Sequence, residues 1–135
     1  MTLGFEVSEA LSELIEDSSF ALQATDDETI FTYGKHVIQC GVDEDRSQYS
    51  VWSLCLLDIE CNDFALETIS RWTAFKLARV VIVNGHIVVE VVLPGESFSA
   101  SQLARALVEV VATLDQIDSE IAENAVFTLG GRRFN

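Results

Sequence analysis

The chain has 135 residues, 49% of them hydrophobic, and a formal net charge of −14 from 22 acidic and 8 basic residues. This length fits one domain that buries about two-thirds of the surface of its unfolded chain, so folding needs neither a disulfide nor a metal. The charge argues against nucleic acid and anionic membrane surfaces as partners, because both repel an acidic chain. The apolar content excludes an intrinsically disordered chain.

The sequence predicts a soluble cytoplasmic protein. No stretch approaches the roughly 20 consecutive apolar residues of a membrane span, and the first residues lack the pattern of a secretory signal. The cysteines Cys40, Cys55 and Cys61 are irregularly spaced, which indicates free thiols in a reducing compartment. We place a single domain at residues 1–129 and expect residues 130–135 to form a flexible tail.

The first half of the chain predicts one helix followed by three strands. Residues 5–17 carry an apolar stripe, and Ser8 is the expected N-cap of the regular part of this helix. Three segments rich in β-branched and aromatic residues then alternate with acidic clusters, which is typical of strands and turns. The predicted strands lie near residues 29–33, 36–42 and 49–59. A strand at residues 20–25 is an alternative to the first of them.

A second helix and a β-hairpin follow. The helix is predicted at residues 63–74, with Asn62 or Asp63 as its cap. Two runs of β-branched residues, 77–83 and 86–93, flank Asn84-Gly85. Asn-Gly between such runs is a strong hairpin signal, because a type I′ turn needs positive φ at both central residues.

The last predicted element is a long amphipathic helix that begins at Ser99. Gln102 is placed to complete a capping box with Ser99. Apolar residues then recur every three or four positions, which predicts one buried face. These residues are Leu103, Leu107, Val110, Leu114, Ile117 and Ile121. The order α-β-β-β-α-β-β-α predicts an α+β fold, a two-layer antiparallel sheet with helices.

Few residues of the sequence are suited to catalysis or to binding a metal or a phosphate. His36 and Cys40 would share one face of a strand, where a metal site or a Cys–His nucleophile is conceivable, but a buried thiol beside a histidine is the favoured interpretation. The acidic turn after Gly41 fails as a calcium loop, since Gln48 and Leu54 occupy the positions of its glycine and glutamate. Phosphate-binding glycine motifs are missing from the sequence. We therefore predict no catalytic residue, no metal site and no cofactor.

The two faces of the hairpin differ in character. One face carries apolar residues only, which predicts that it lies under the helices: Ala78, Val80, Ile82, Ile87, Val89, Val91 and Leu93. The other face places Arg79 opposite Glu90 among valines, too few polar residues for a sheet in solvent. A second copy, a client peptide or another element of the chain could cover it. The predicted partner-binding residues, exposed in the isolated chain, are Leu77, Arg79, Val81, Val83, Val88, Glu90 and Val92.

These segments also resemble a known family. Residues 69–79 (ISRWTAFKLAR), residues 84–94 (NGHIVVEVVLP) and the helix from Ser99 are similar to the YbjN-like and class I type III secretion chaperone-like family. The resemblance covers most of the chain and implies the same α-β-β-β-α-β-β-α order. Class I secretion chaperones are small, acidic, cytoplasmic homodimers that hold an extended client segment on apolar patches. YbjN-like proteins are described as regulators of sensory transduction or motility.

The favoured function is therefore a non-enzymatic, chaperone-like or regulatory module that binds a client protein or peptide and forms a homodimer. Two alternatives come from other classes of protein. A small-molecule-sensing regulatory domain predicts a deep polar pocket between sheet and helices. A thiol enzyme built on Cys40 and His36 predicts a histidine within hydrogen-bond reach of the thiol.

Overall fold

The first helix begins earlier than the sequence predicts. In the computed structural model, which describes residues 2–57, 59, 63–73, 77–123 and 132–133, helix α1 spans Leu3–Glu16. Thr2 is its N-cap, and the Thr2 hydroxyl oxygen accepts a hydrogen bond from the Phe5 N–H at 3.2 Å. The predicted cap at Ser8 was wrong, because the buried residues Leu3 and Val7 extend the apolar stripe by one turn.

Four strands follow α1, and they include both alternatives that the sequence left open. The strands are β1 (Leu22–Ala24), β2 (Ile30–Tyr33), β3 (His36–Asp43) and β4 (Gln48–Leu57). The short strand β1 pairs with β2, so the segments near residues 20–25 and 29–33 are both extended. Gly34 lies in the turn between β2 and β3 with φ of 59°, a conformation that favours glycine.

The second half of the chain contains the predicted helix, hairpin and long helix. Its elements are α2 (Asp63–Thr73), β5 (Arg79–Val83), β6 (His86–Pro94), a 3₁₀ turn (Gly95–Ser97), α3 (Ala100–Glu123) and β7 (Arg132–Arg133). Asn84 and Gly85 have φ of 51° and 78°, which confirms the positive φ values predicted for the turn. Asn62, one of the two proposed caps of α2, lies outside the described residues.

Half of the predicted capping box forms at the start of α3. The Ser99 hydroxyl oxygen accepts a hydrogen bond from the Gln102 N–H at 3.2 Å. The Gln102 side chain instead accepts a hydrogen bond from the Tyr49 hydroxyl at 3.3 Å. This contact joins the start of α3 to β4. The Gln102 side chain therefore makes a tertiary contact and does not complete the capping box.

The strands form one antiparallel sheet in the order β1-β2-β3-β4-β6-β5. Counting β7, which pairs with β4 beside this path, the described residues contribute seven strands. The α+β fold with segregated helices is confirmed, with β1 and β7 added to the predicted order. Residues Arg132 and Arg133, which lie in the predicted flexible tail, pair with Leu57 and Leu56 of β4. The other residues of 130–135 lie outside the described residues.

The core lies between the helices and one face of the sheet, here called the inner face. Its strand residues include Ile38, Val51 and Val89, each with no exposed surface. All three helices contribute buried residues to the same cluster. The predicted stripe of α3 is fully buried at Leu103, Leu107, Val110, Leu114 and Ile117, while the side chain of Ile121 lies outside the described part. The inner face of the hairpin belongs to this cluster, as predicted.

Candidate functional site

The outward residues of the hairpin lie on the opposite side of the sheet from the core. The register pairs Arg79 with Glu90, Val81 with Val88 and Val83 with His86, as the two-residue turn predicts. Successive residues of a strand point to opposite faces, so these side chains share one surface. We call it the outer face. It comprises the outward residues of β3, β4, β5 and β6.

An ion pair lies within the outer face. The Nε and Nη2 atoms of Arg79 each lie 2.7 Å from Oε1 of Glu90. The Glu90 side chain is only 20% exposed, whereas the Arg79 side chain is 59% exposed. A largely buried carboxylate is costly unless it has a partner, and Arg79 is the partner of Glu90. The rest of the outer face can therefore be apolar. Because the Arg79 side chain is largely exposed, solvent screens the pair, and its contribution to stability is small.

The outer face extends across β4 and β3, which the sequence analysis did not include. Trp52 lies directly opposite Glu90 in the pairing of β4 with β6, and Leu54 lies opposite Val88. Gly41 of β3 faces Ser50 of β4 in the same layer. Alternation along β4 could have identified its outward residues, because every second residue points inward. The inward residues Tyr49, Val51, Ser53 and Cys55 are all buried. The neighbour of β4 could not be read from the sequence, because β6 is distant along the chain.

A shallow groove of about 430 Å³ crosses this face. Its lining includes Gly41, which has no side chain, and Ser50, whose side chain is small, together with the larger Trp52 and Val92. Among the described residues, its lining comes from strands: Gly41, Val42, Asp43, Gln48, Tyr49, Ser50, Trp52, Val83, Val88, Glu90 and Val92. A depression with apolar walls and a few polar groups is suited to an extended polypeptide, whose backbone needs hydrogen bonds and whose side chains need apolar contact.

Exposure differs among the predicted partner-binding residues. Leu77, Val83 and Val92 are exposed, at 41%, 48% and 39% of their surface. Val88 is only 8% exposed, so the expectation that it is accessible in the isolated chain was wrong. Val88 is paired with Val81 of β5 on one side and with Leu54 of β4 on the other. It lies in the middle of three adjacent strands, so the side chains around it cover it. The accessible apolar surface therefore lies at the edges of the predicted patch.

The pair His36 and Cys40 does not form the arrangement that a thiol enzyme needs. Burial raises the pKa of the Cys40 thiol to about 12, so the thiol is protonated at neutral pH and is a poor nucleophile. Nε2 of His36 lies 2.7 Å from Oδ1 of Asp115, so the histidine has a carboxylate partner on α3. Cys40 and Cys55 are buried, as predicted, and Cys61 lies outside the described residues.

A second depression, of about 400 Å³, lies between α1 and the first two strands. Leu11, Ile15 and Phe31 supply its apolar surface, and Thr25, Asp27 and other polar residues supply the rest. This groove opens beside exposed residues of β1 and the following turn. Both grooves are open to solvent, whereas a small-molecule sensor would require a deep polar pocket between the sheet and the helices. Among the described helices, none combines the length and the hydropathy of a membrane-crossing segment.

A sheet with helices on one side leaves its other face accessible, and an accessible, partly apolar sheet face is a surface on which an extended polypeptide can bind. The comparison with protein families agrees with this class. Residues 3–135 match the family described as "T3SS (YopN, CesT) and YbjN peptide-binding chaperone 1". The chain belongs to this family, and the resemblance stated from the sequence is confirmed. The protein is thus a member of a family of peptide-binding chaperones.

Two solved structures share the fold at low sequence identity. One comes from "Structure of the HopA1-SchA Chaperone-Effector Complex", with a TM-score of 0.60 and 11% identity, covering 83% of this chain and 92% of that chain. The other comes from "Crystal Structure of the ExsC-ExsE Complex", with a TM-score of 0.54 and 11% identity, covering 84% of this chain and 92% of that chain. The comparison with curated proteins gave no match.

Proposed function

We propose that this chain is a non-enzymatic chaperone that holds an extended segment of a client protein in the groove of its outer face. The observation that carries the proposal is the exposed Val92 in a groove lined by strand residues. The described helices contribute to the core of the inner face, which leaves the outer face as the accessible side of the sheet. Membership of a peptide-binding chaperone family supports the same function.

The shape of the groove favours an extended segment over a compact ligand. It is shallow and spans four neighbouring strands, so it offers contact along a line and does not enclose a ligand. Apolar side chains of the client would pack on Trp52 and Val92, and the Arg79–Glu90 pair would offer charged hydrogen-bonding groups beside them. The net charge of −14 would attract a client segment that carries basic residues.

We also propose a cytoplasmic homodimer. The support is the apolar excess of the hairpin together with the family membership. Strand β5 stands at the end of the sheet order, and the last residue of β5, Val83, is 48% exposed. A strand in that position has unpaired backbone groups and an apolar side available to a second copy. The client would then use the Val92 end of the face, and the second copy the Val83 end.

Affinity capture from native lysate tests the client. Wild-type protein and the Val92→Asp variant would be compared by mass spectrometry of the captured proteins. A carboxylate at position 92 stays hydrated in the free chain and is buried only under a client, so we expect the captured client to be lost. Val108→Asp is the matched control, because Val108 is an exposed valine of α3, 46% exposed and outside the groove. Equal loss in both variants would contradict a site on the outer face.

A further inference from the structure

A cluster of potential metal ligands lies at the boundary between the two layers, on the side of the sheet away from the proposed client groove. His36, the first residue of β3, and two carboxylates of α3, Asp115 and Asp118, each offer one ligand atom. The three ligand atoms all lie within 4.8 Å of one another. Among the described residues this is the group of three that could hold a metal ion. From it we infer that the chain binds one zinc ion through His36, Asp115 and Asp118.

The backbone places the three potential ligands near one another. Gly34, with φ of 59°, makes the tight turn that places His36 at the start of β3, and only 5% of His36 is exposed. Asp115 and Asp118 are three positions apart on α3, so they lie on the same side of the helix. The fully buried Leu114 and Ile117 hold that part of α3 against the core.

Small side-chain movements would bring the three ligand atoms to the spacing that zinc requires. Tetrahedral zinc with ligands at about 2.1 Å places the ligand atoms about 3.4 Å apart. Nε2 of His36 and Oδ1 of Asp115 are now 2.7 Å apart, and every other pair lies below 4.8 Å. The Asp115 side chain is 57% exposed and can move by the small distance needed. Its exposure also leaves room for water as the fourth ligand.

The donor set favours zinc over magnesium or calcium. One imidazole nitrogen with two carboxylates suits zinc, whereas magnesium and calcium prefer oxygen ligands alone. Nζ of Lys35 lies 3.4 Å from Oδ2 of Asp118 and neutralises part of the negative charge of the cluster. The Lys35 side chain is 69% exposed, so the bound zinc can displace its ammonium group into solvent. Lys35 therefore competes with the metal.

Isothermal titration of the metal-free, folded protein with zinc chloride tests the inference. We expect one zinc ion per chain. Asp115→Asn and His36→Gln should weaken binding by more than about tenfold, the lower end of the loss seen even for residues that only support metal ligands. Lys35→Ala should tighten binding, because it removes the competing cation. Asp115 is exposed, so Asp115→Asn tests the site even if His36→Gln fails to fold.

Two controls exclude other ligands. His86→Gln removes the second of the two histidines of the chain and should bind zinc as the wild type does. Cys61→Ser removes the thiol outside the described residues and should also leave binding unchanged. The inference is overturned if the wild type does not bind zinc, if Asp115→Asn and a folded His36→Gln bind it as the wild type does, or if Cys61→Ser abolishes binding. Tighter binding of magnesium than of zinc would overturn the assigned class of metal.

Discussion

Val88 and Val89 are neighbours in β6 that point to opposite faces of the sheet, yet both are nearly inaccessible, at 8% and 0% of their surface. Val89 belongs to the core beneath the helices, whereas Val88 lies outside that core cluster, opposite Leu54 and Val81. The sheet thus buries residues on both faces at its centre. The outer face has accessible valines only toward its margins, at Val83 and Val92.

This difference predicts a graded series of aspartate variants. Val89→Asp should unfold the chain, because a buried unpaired carboxylate costs several kcal/mol, which is comparable with the total stability of a domain. Val88→Asp should also lower the melting temperature, by less, since the outer face can rearrange toward water. Val92→Asp should melt near the wild type. Circular dichroism melting measures all three, and a Val92→Asp variant that unfolds like Val89→Asp would show that position 92 is core.

The dimer prediction concerns the mass of the assembly in solution. Light scattering at micromolar concentration should give about twice the 14.9 kDa mass of the chain. Val83→Asp should shift the mass toward one chain, because the carboxylate would be buried in the interface between copies. Val108→Asp is the control on α3 and should remain a dimer. A monomeric wild type at high concentration would contradict the homodimer.

Filling the groove should reduce client binding without unfolding the protein. A Cβ atom on Gly41 would meet the side-chain oxygen of Ser50 at 3.3 Å, a contact that rotation of the serine relieves. Gly41→Val therefore adds volume to the groove floor in a strand that accepts β-branched residues. We expect a melting temperature close to that of the wild type and less captured client. Unchanged capture by a folded Gly41→Val would place the client elsewhere.

The Cys40 thiol should be inert in the folded protein. Its pKa of about 12 means that the thiolate is scarce at pH 8, and burial blocks access to it. Iodoacetamide should label Cys40 only after the chain is unfolded in guanidinium. Peptide mapping by mass spectrometry before and after unfolding measures this. Rapid labelling of Cys40 in the native state would revive a reactive-thiol function.

The hairpin and the last helix were predictable because their signals are local. Asn84-Gly85 sets the turn, the turn sets the register, and the register sets both faces and the Arg79–Glu90 pair. The stripe of α3 was equally readable from its spacing. The N-cap of α1 was missed although it is also local, because the imperfect stripe concealed the first turn.

Only the tertiary structure decided which strands are neighbours, and with them the site. Strand β4 pairs with β6 and not with β5, so Trp52 came to lie opposite Glu90 and Val88 became buried. His36 and Asp115 are 79 positions apart and meet because α3 packs across the start of β3. The sequence by itself determined the principal helices and strands, the two faces of the hairpin and the family, since periodicity and turn chemistry act over a few residues. Contacts between distant segments depend on how the faces of the elements pack against one another. That packing cannot be read from the local spacing of residues along the chain.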